Sequence, residues 1–133
     1  MSIEEVEKTL PNGLHDAVMR KHIVNYENRT LVFDIDVWVG DLDSKHVEER
    51  EKYKPGILKF EGLEYFVIEP PSVVKVTFEA FSFSAGNPEL DVIKPSVILP
   101  KAPEGTFRTF FFIYKLEAFM HICASKVEFN YGT

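Results

Sequence analysis

A single cysteine, Cys123, stands in the 133 residues, so no disulfide can form within the chain. That scarcity points to a reducing compartment. No apolar run approaches the roughly 20 residues needed to cross a bilayer as a helix. The opening MSIEEVEKTL carries three glutamates in its first seven residues. It lacks the basic start and apolar stretch of a secretion signal, so a cytoplasmic protein with no membrane contact is expected. Basic residues are the minority, 15 against 21 acidic, and the net charge of −6 disfavours nucleic acid as a partner. A glycine-rich phosphate loop, a G-x-S-x-G elbow, an H-E-x-x-H helix and a paired C-x-x-C are all missing. These absences leave no recognisable catalytic motif, and neither an enzyme nor a cofactor is expected.

What is abundant is apolar and aromatic. Hydrophobic residues make up 45% and phenylalanine alone contributes 12 side chains, enough for a thick core in one globular domain spanning residues 1–133. The clearest element is Thr30–Val39. Leu31, Phe33, Ile35, Val37 and Val39 share one face, while Thr30, Val32, Asp34, Asp36 and Trp38 share the other, which is the period of a half-buried strand. Ala17–Tyr26 is expected to be extended, and the polar break Glu27-Asn28-Arg29 predicts a hairpin between the two runs. Ser2 and Glu5 have capping-box spacing for a short helix over Ile3–Thr9, ended by Pro11 and Gly13.

Between Asp41 and Lys54, nine residues are charged, and the stretch reads as an exposed excursion with a short helix capped by Ser44. Gly56–Glu69 is extended again, with a phase change near Gly62 that a β-bulge would explain. Pro70-Pro71 interrupts the ladder. Val73–Ser84 is a further strand, and Ala85–Gly105 a proline-bearing loop with a short edge strand at Ser96–Leu99. Thr106–Leu116, nearly continuous in apolar residues, predicts a central strand, followed by a second β run over Glu117–Tyr131. Strand follows strand without long helices between. The expected fold is mainly β: an antiparallel β-sandwich or a small, partly open barrel of six to eight strands with one or two short helices.

Three residues stand out as candidate binding residues: His15, Asp16 and Trp38. His15-Asp16 follows the Pro11-Asn12-Gly13 turn. Neighbours on an extended chain face opposite sides, so a working pair needs a turn there. The simplest role for Asp16 is to cap that turn through a backbone N–H. An acid–base or metal site would need His22 or His121 brought alongside. Asp34, Asp36, Asp41 and Asp43 begin like a calcium loop, but Val39 and Lys45 stand where glycine and glutamate are required, so no metal site is expected. Cys123, in an apolar stretch beside His121, reads as buried and inert. Trp38 on the polar face suggests a contact surface, unless a second sheet, the helix or the charged excursion covers it.

The segment GLHDAVMRKHIVNYENRTLVFDIDVW, Gly13 to Trp38, resembles the opening of small bacterial β-rich domains of uncharacterised role, which begin His-Asp-Ala and continue as a strand and hairpin. Some of these are classed as immunity proteins, which neutralise a toxin by binding it. The resemblance implies a bacterial cytoplasmic protein without established enzymatic activity, and it carries over no functional residue. Three readings follow: a non-enzymatic interaction module with a protein partner; a small ligand- or metal-binding barrel, hydrolytic in its strongest form, in which His15, Asp16, His22 and His121 converge; and a homo-oligomer joined at sheet edges or at Trp38.

Overall fold

A computed structural model describes residues 2–69, 81–86 and 98–132 of the chain. Helix α1 (Ile3–Lys8) begins at a full capping box. Ser2 Oγ accepts the Glu5 backbone N–H at 3.3 Å, and the Glu5 carboxylate accepts the Ser2 N–H at 3.4 Å. Its buried residues, Ile3 and Val6, recur at helical spacing and pack into the core.

Strand β1 (Ala17–Asn25) turns through Tyr26–Arg29 into β2 (Thr30–Trp38), and the two pair as the expected antiparallel hairpin. The Asn25 side chain accepts the Asn28 N–H at 3.0 Å, and Arg29 takes a positive φ of 53° to close the loop. Along β2 burial alternates strictly, with Leu31, Phe33, Ile35 and Val37 inside. The exposed excursion holds a four-residue helix α2 (Val47–Arg50), then β3 (Tyr53–Glu61) pairs with β2 over its whole length. The residue preceding α2 is His46 rather than Ser44. Ser44 Oγ instead accepts the His46 N–H at 3.2 Å, so its hydroxyl is spent two residues before the helix begins.

Gly62 is not a bulge. It is a corner with φ +62° between β3 and β4 (Tyr65–Glu69), strands that lie far apart in the sheet. A Cβ on Gly62 would come 1.9 Å from Ser125 Oγ, so glycine is required by space as well as by φ. The change of phase read from the sequence marks the chain leaving one part of the sheet for another. The one irregular register in β1–β2 lies between Met19 and Lys21.

Strand β5 is Phe81–Gly86, so Ala85 and Gly86, expected in a loop, are paired with β6 (Phe107–Ile113). The rest of the expected strand, residues 73–80, lies outside the described residues, as do Pro70-Pro71 and Ser96. Ile98 and Leu99 are irregular rather than extended. After a 3₁₀ turn at Tyr114–Leu116, the expected last run divides at Ser125 into β7 (Ala118–Ala124) and β8 (Lys126–Tyr131).

The eight strands of the described residues form one open antiparallel sheet in the order β4-β7-β6-β5-β1-β2-β3-β8. The sheet curls on itself. Phe111 of β6 meets Phe33 of β2 at 5.2 Å and Phe60 of β3 at 6.1 Å between ring centroids, across strands that are not neighbours. At one corner the two ends of the sheet nearly meet, because Ser125 N donates to Glu61 O and Glu64 N to Cys123 O. The mainly β expectation therefore holds, in its partly open barrel form. The interior is one cluster built on Phe33, Phe60, Phe83 and Phe111, each fully buried. Each such side chain taken out of water contributes about 1.5–3 kcal/mol.

Candidate functional site

The fold brings His15, Asp16 and Trp38 to one place, a groove on the shoulder of the sheet. It is built from the turn after α1, the end of β2 and the charged excursion.

The turn comes first. Backbone bonds run from Gly13 N to Leu10 O (3.3 Å) and from His15 N to Asn12 O (3.4 Å). The carboxylate that caps it is Glu7, which accepts the Leu14 N–H at 3.2 Å while the Leu14 side chain is fully buried. Asn12 ties the turn to β2, donating through Nδ2 to the carbonyls of Trp38 (3.2 Å) and Gly40 (2.9 Å). The capping role expected of Asp16 thus belongs to Glu7, while Asn12 anchors the turn to the end of β2. Asp16 has a different part. Its φ is +55°, the left-handed conformation that aspartate tolerates better than most residues. That twist removes the strand-like opposition of neighbouring side chains and lets His15 Nε2 approach Asp16 Oδ2 to 3.2 Å. The pair is open to water, its side chains 63% and 50% exposed, so the attraction between them is weak.

Trp38 forms the wall. Its indole N–H donates to Arg50 O at 2.7 Å, and its ring lies 6.4 Å from that of His15. The excursion is folded back on the same strand end by Val39 N to Lys52 O and Asp41 N to Glu49 O, both 2.8 Å. Gly40 permits this approach. A Cβ there would stand 2.0 Å from Arg50 O and 2.5 Å from Trp38 Nε1. The excursion therefore covers the indole nitrogen and leaves the ring face along the groove.

Tyr53 is the residue that sequence reasoning missed. It is the cross-strand partner of Trp38, so both aromatic side chains stand on the same outer face. Burial, then the carboxylates of Asp16 and Glu51, push its phenol above the ordinary value of 10.0, so it remains a hydrogen-bond donor. Its position inside the charged run, between Lys52 and Lys54, was the only signal available. With Leu42, Arg50 and Glu51, these residues surround a groove of about 470 Å³. Leu42 is 72% and Tyr53 43% exposed, which gives the groove an apolar lip in an otherwise charged region.

His22 and His121 are not part of it. His22 lies against Phe33 and Phe66 on the concave side of β1. His121 is buried in β7 with Nε2 2.7 Å from Glu69 Oε1. The three histidines occupy three separate environments, so the hydrolytic or metal reading that needed them to converge loses its geometry. Among the described residues no group of three or more His, Cys, Asp or Glu is placed to hold a metal ion. Cys123 is buried, its Sγ 3.6 Å from Thr106 Oγ1. No helix among the described residues is long and apolar enough to cross a membrane.

The fold and groove thus define a curled antiparallel β-sheet protein with an aromatic shoulder. No family model matches the chain, and no curated protein matches it. A solved structure, that of an uncharacterized protein from Neisseria gonorrhoeae, is similar over 87% of this chain and 91% of that chain, with 13% identity and a TM-score of 0.38.

Proposed function

We propose that the protein is a non-enzymatic binding module of the bacterial cytoplasm that grips a segment of a protein partner in the shoulder groove. The observation that supports this reading is the pairing of Trp38 and Tyr53 on one outer face, beside Arg50 and the exposed Leu42. Trp, Tyr and Arg are the side chains that most often carry interface energy, because they combine large contact area with a polar handle. The carboxylates of Asp16 and Glu51 and the guanidinium of Arg50 can orient a partner's backbone and charged side chains without burying any charge of their own. A hydrolytic role is less well supported. The His15–Asp16 pair lies open to water, and neither His22 nor His121 lines the groove beside it. The single cysteine, free and buried, suits a reducing compartment.

Affinity capture from the native cell, run in parallel with wild type and a Leu42→Asp/Tyr53→Ala double variant of unchanged circular dichroism, tests this. A partner enriched by wild type and lost by roughly ten-fold or more in the variant is expected. Equal capture by both, or turnover of a small substrate that His15→Ala abolishes, overturns the reading.

A further inference from the structure

A second cavity, of about 400 Å³, lies on the concave side of the sheet, away from the shoulder. Its walls are Met19, Ile68, Phe81, Ile113, Leu116 and Met120. The registers explain why these side chains look at one another. Met19 stands opposite Ile35, Ile68 opposite Met120, and Phe81 opposite Met19, so each points to the buried face of its strand. Protein interiors leave few voids larger than a water molecule. An apolar space of this size lies within the range of small-molecule pockets, and the mouths of curled sheets are where such pockets form.

The mouth is set by the register shift in β1. Arg20 is the extra residue between Met19 and Lys21, so Met19 and His22 both keep to the concave side, His22 opposite Phe33. The two cations at the mouth are already matched: Arg20 Nε lies 3.5 Å from Asp36 Oδ1, and Lys21 Nζ 3.2 Å from Asp34 Oδ2. The mouth therefore carries balanced charge and, at its water-exposed rim, one polar group on the concave side, the His22 imidazole. Partial desolvation against Phe33 and Phe66 lowers its proton affinity, which favours the neutral ring with one donor and one acceptor.

We propose that this cavity is a binding site for a neutral amphiphile: a compact aliphatic or aromatic body between Met19, Ile113 and Met120, with an uncharged hydroxyl or amide end at His22. The volume sets the size. A dry cavity of about 150 Å³ accommodates benzene, so this one takes a body of on the order of eight to sixteen heavy atoms. Met19 and Met120 adapt their shape to what they enclose. A charged head would need a counter-ion that Arg20, Lys21, Asp34 and Asp36 have already supplied to one another.

The test is a titration with three probes sharing one tail: octan-1-ol, octanoate and octylamine at pH 7.5. It is followed by the methyl signals of ¹³C-labelled methionine. Octan-1-ol is expected to shift Met19 and Met120 saturably and to leave Met1 unmoved. Octanoate and octylamine should need roughly ten-fold more, since bringing a charge against the apolar mouth, where the neighbouring charges are already paired, is costly. Ile68→Trp and Leu116→Trp, at the partly buried rim, should each block the shift. Two results overturn the proposal. One is no saturable shift of Met19 and Met120 by octan-1-ol; the other is equal or tighter binding of either charged probe. His22→Leu keeps the test informative if a tryptophan variant misfolds: octan-1-ol affinity should fall several-fold, and an unchanged affinity removes His22 from the site.

Discussion

Along β2 every second residue is buried and the residues between keep contact with water; along β7 six of seven residues are buried. Both strands turn one face to the same phenylalanine interior. They differ on the other face. Behind β2 stand Asp34 and Asp36, paired with Lys21 and Arg20 at the surface. Behind β7 stand Phe119, His121 and Cys123, with the His121 ring stacked at 6.0 Å on Phe119 and bonded to Glu69 of β4. The same residue types thus have different consequences. An ion pair in contact with water contributes little, because solvent screens it. A buried pair contributes little net stability when intact, yet is costly to break, because the remaining group has lost its water.

The shared interior should show the largest effect and no difference between the regions. Phe111→Ala removes contacts with Phe33, Phe60 and Phe83, the last at 4.6 Å, and should cost about 3–5 kcal/mol in urea unfolding. Phe33→Ala, on β2, should fall in the same range. The outer faces should then separate. Glu69→Ala leaves the His121 ring without its carboxylate in a buried place, and a loss on the order of 2–4 kcal/mol is expected from the same assay.

A pH effect comes next, at the margin between the two regions. His22 is held below its ordinary value of 6.5 by burial. Below 6.5 the unfolded chain takes up a proton on this ring before the folded one does, so the folded state loses stability as pH falls through that window. His22→Leu should flatten the stability profile between 6.5 and the lowered folded value, measured by thermal melts at several pH values. A slope that persists assigns the effect to other groups. The smallest effect is expected at Asp34→Ala, below about 1 kcal/mol and shrinking further with added salt. A cost equal to that of Glu69→Ala would erase the contrast between the two outer faces.

Much of this is legible in the sequence alone. The alternation of Leu31, Phe33, Ile35 and Val37, the Ser2–Glu5 capping box and the polar break at Glu27–Arg29 are local signals, and each appears where expected. The apolar run around Phe110–Phe112 also sits in an interior strand, between β5 and β7. Other signals were local but ambiguous. A glycine in a strand-like run marks a bulge or a corner equally well, and Gly62 is a corner because β3 and β4 belong to different parts of the sheet. Ser125 divides the last run for the same reason: the chain passes from the β4 side to the β3 side there. The shoulder groove was half legible. His15, Asp16 and Trp38 could be singled out by type and place, but Tyr53 could not, since its importance comes from lying opposite Trp38.

The sequence by itself determined the periodicities: which residues alternate, which cap and which turn, because those depend on neighbours one to four places away. It also determined the apolar excess that makes a phenylalanine core unavoidable. Only the tertiary structure decided what each polar residue does. Asp16 faces His15 instead of capping, Trp38 and Tyr53 form one wall, His121 finds Glu69 52 positions away, and His22 looks into a cavity. The physical reason is that hydrogen bonds and ion pairs are strong or weak according to burial, and burial is set by strand order across the whole chain.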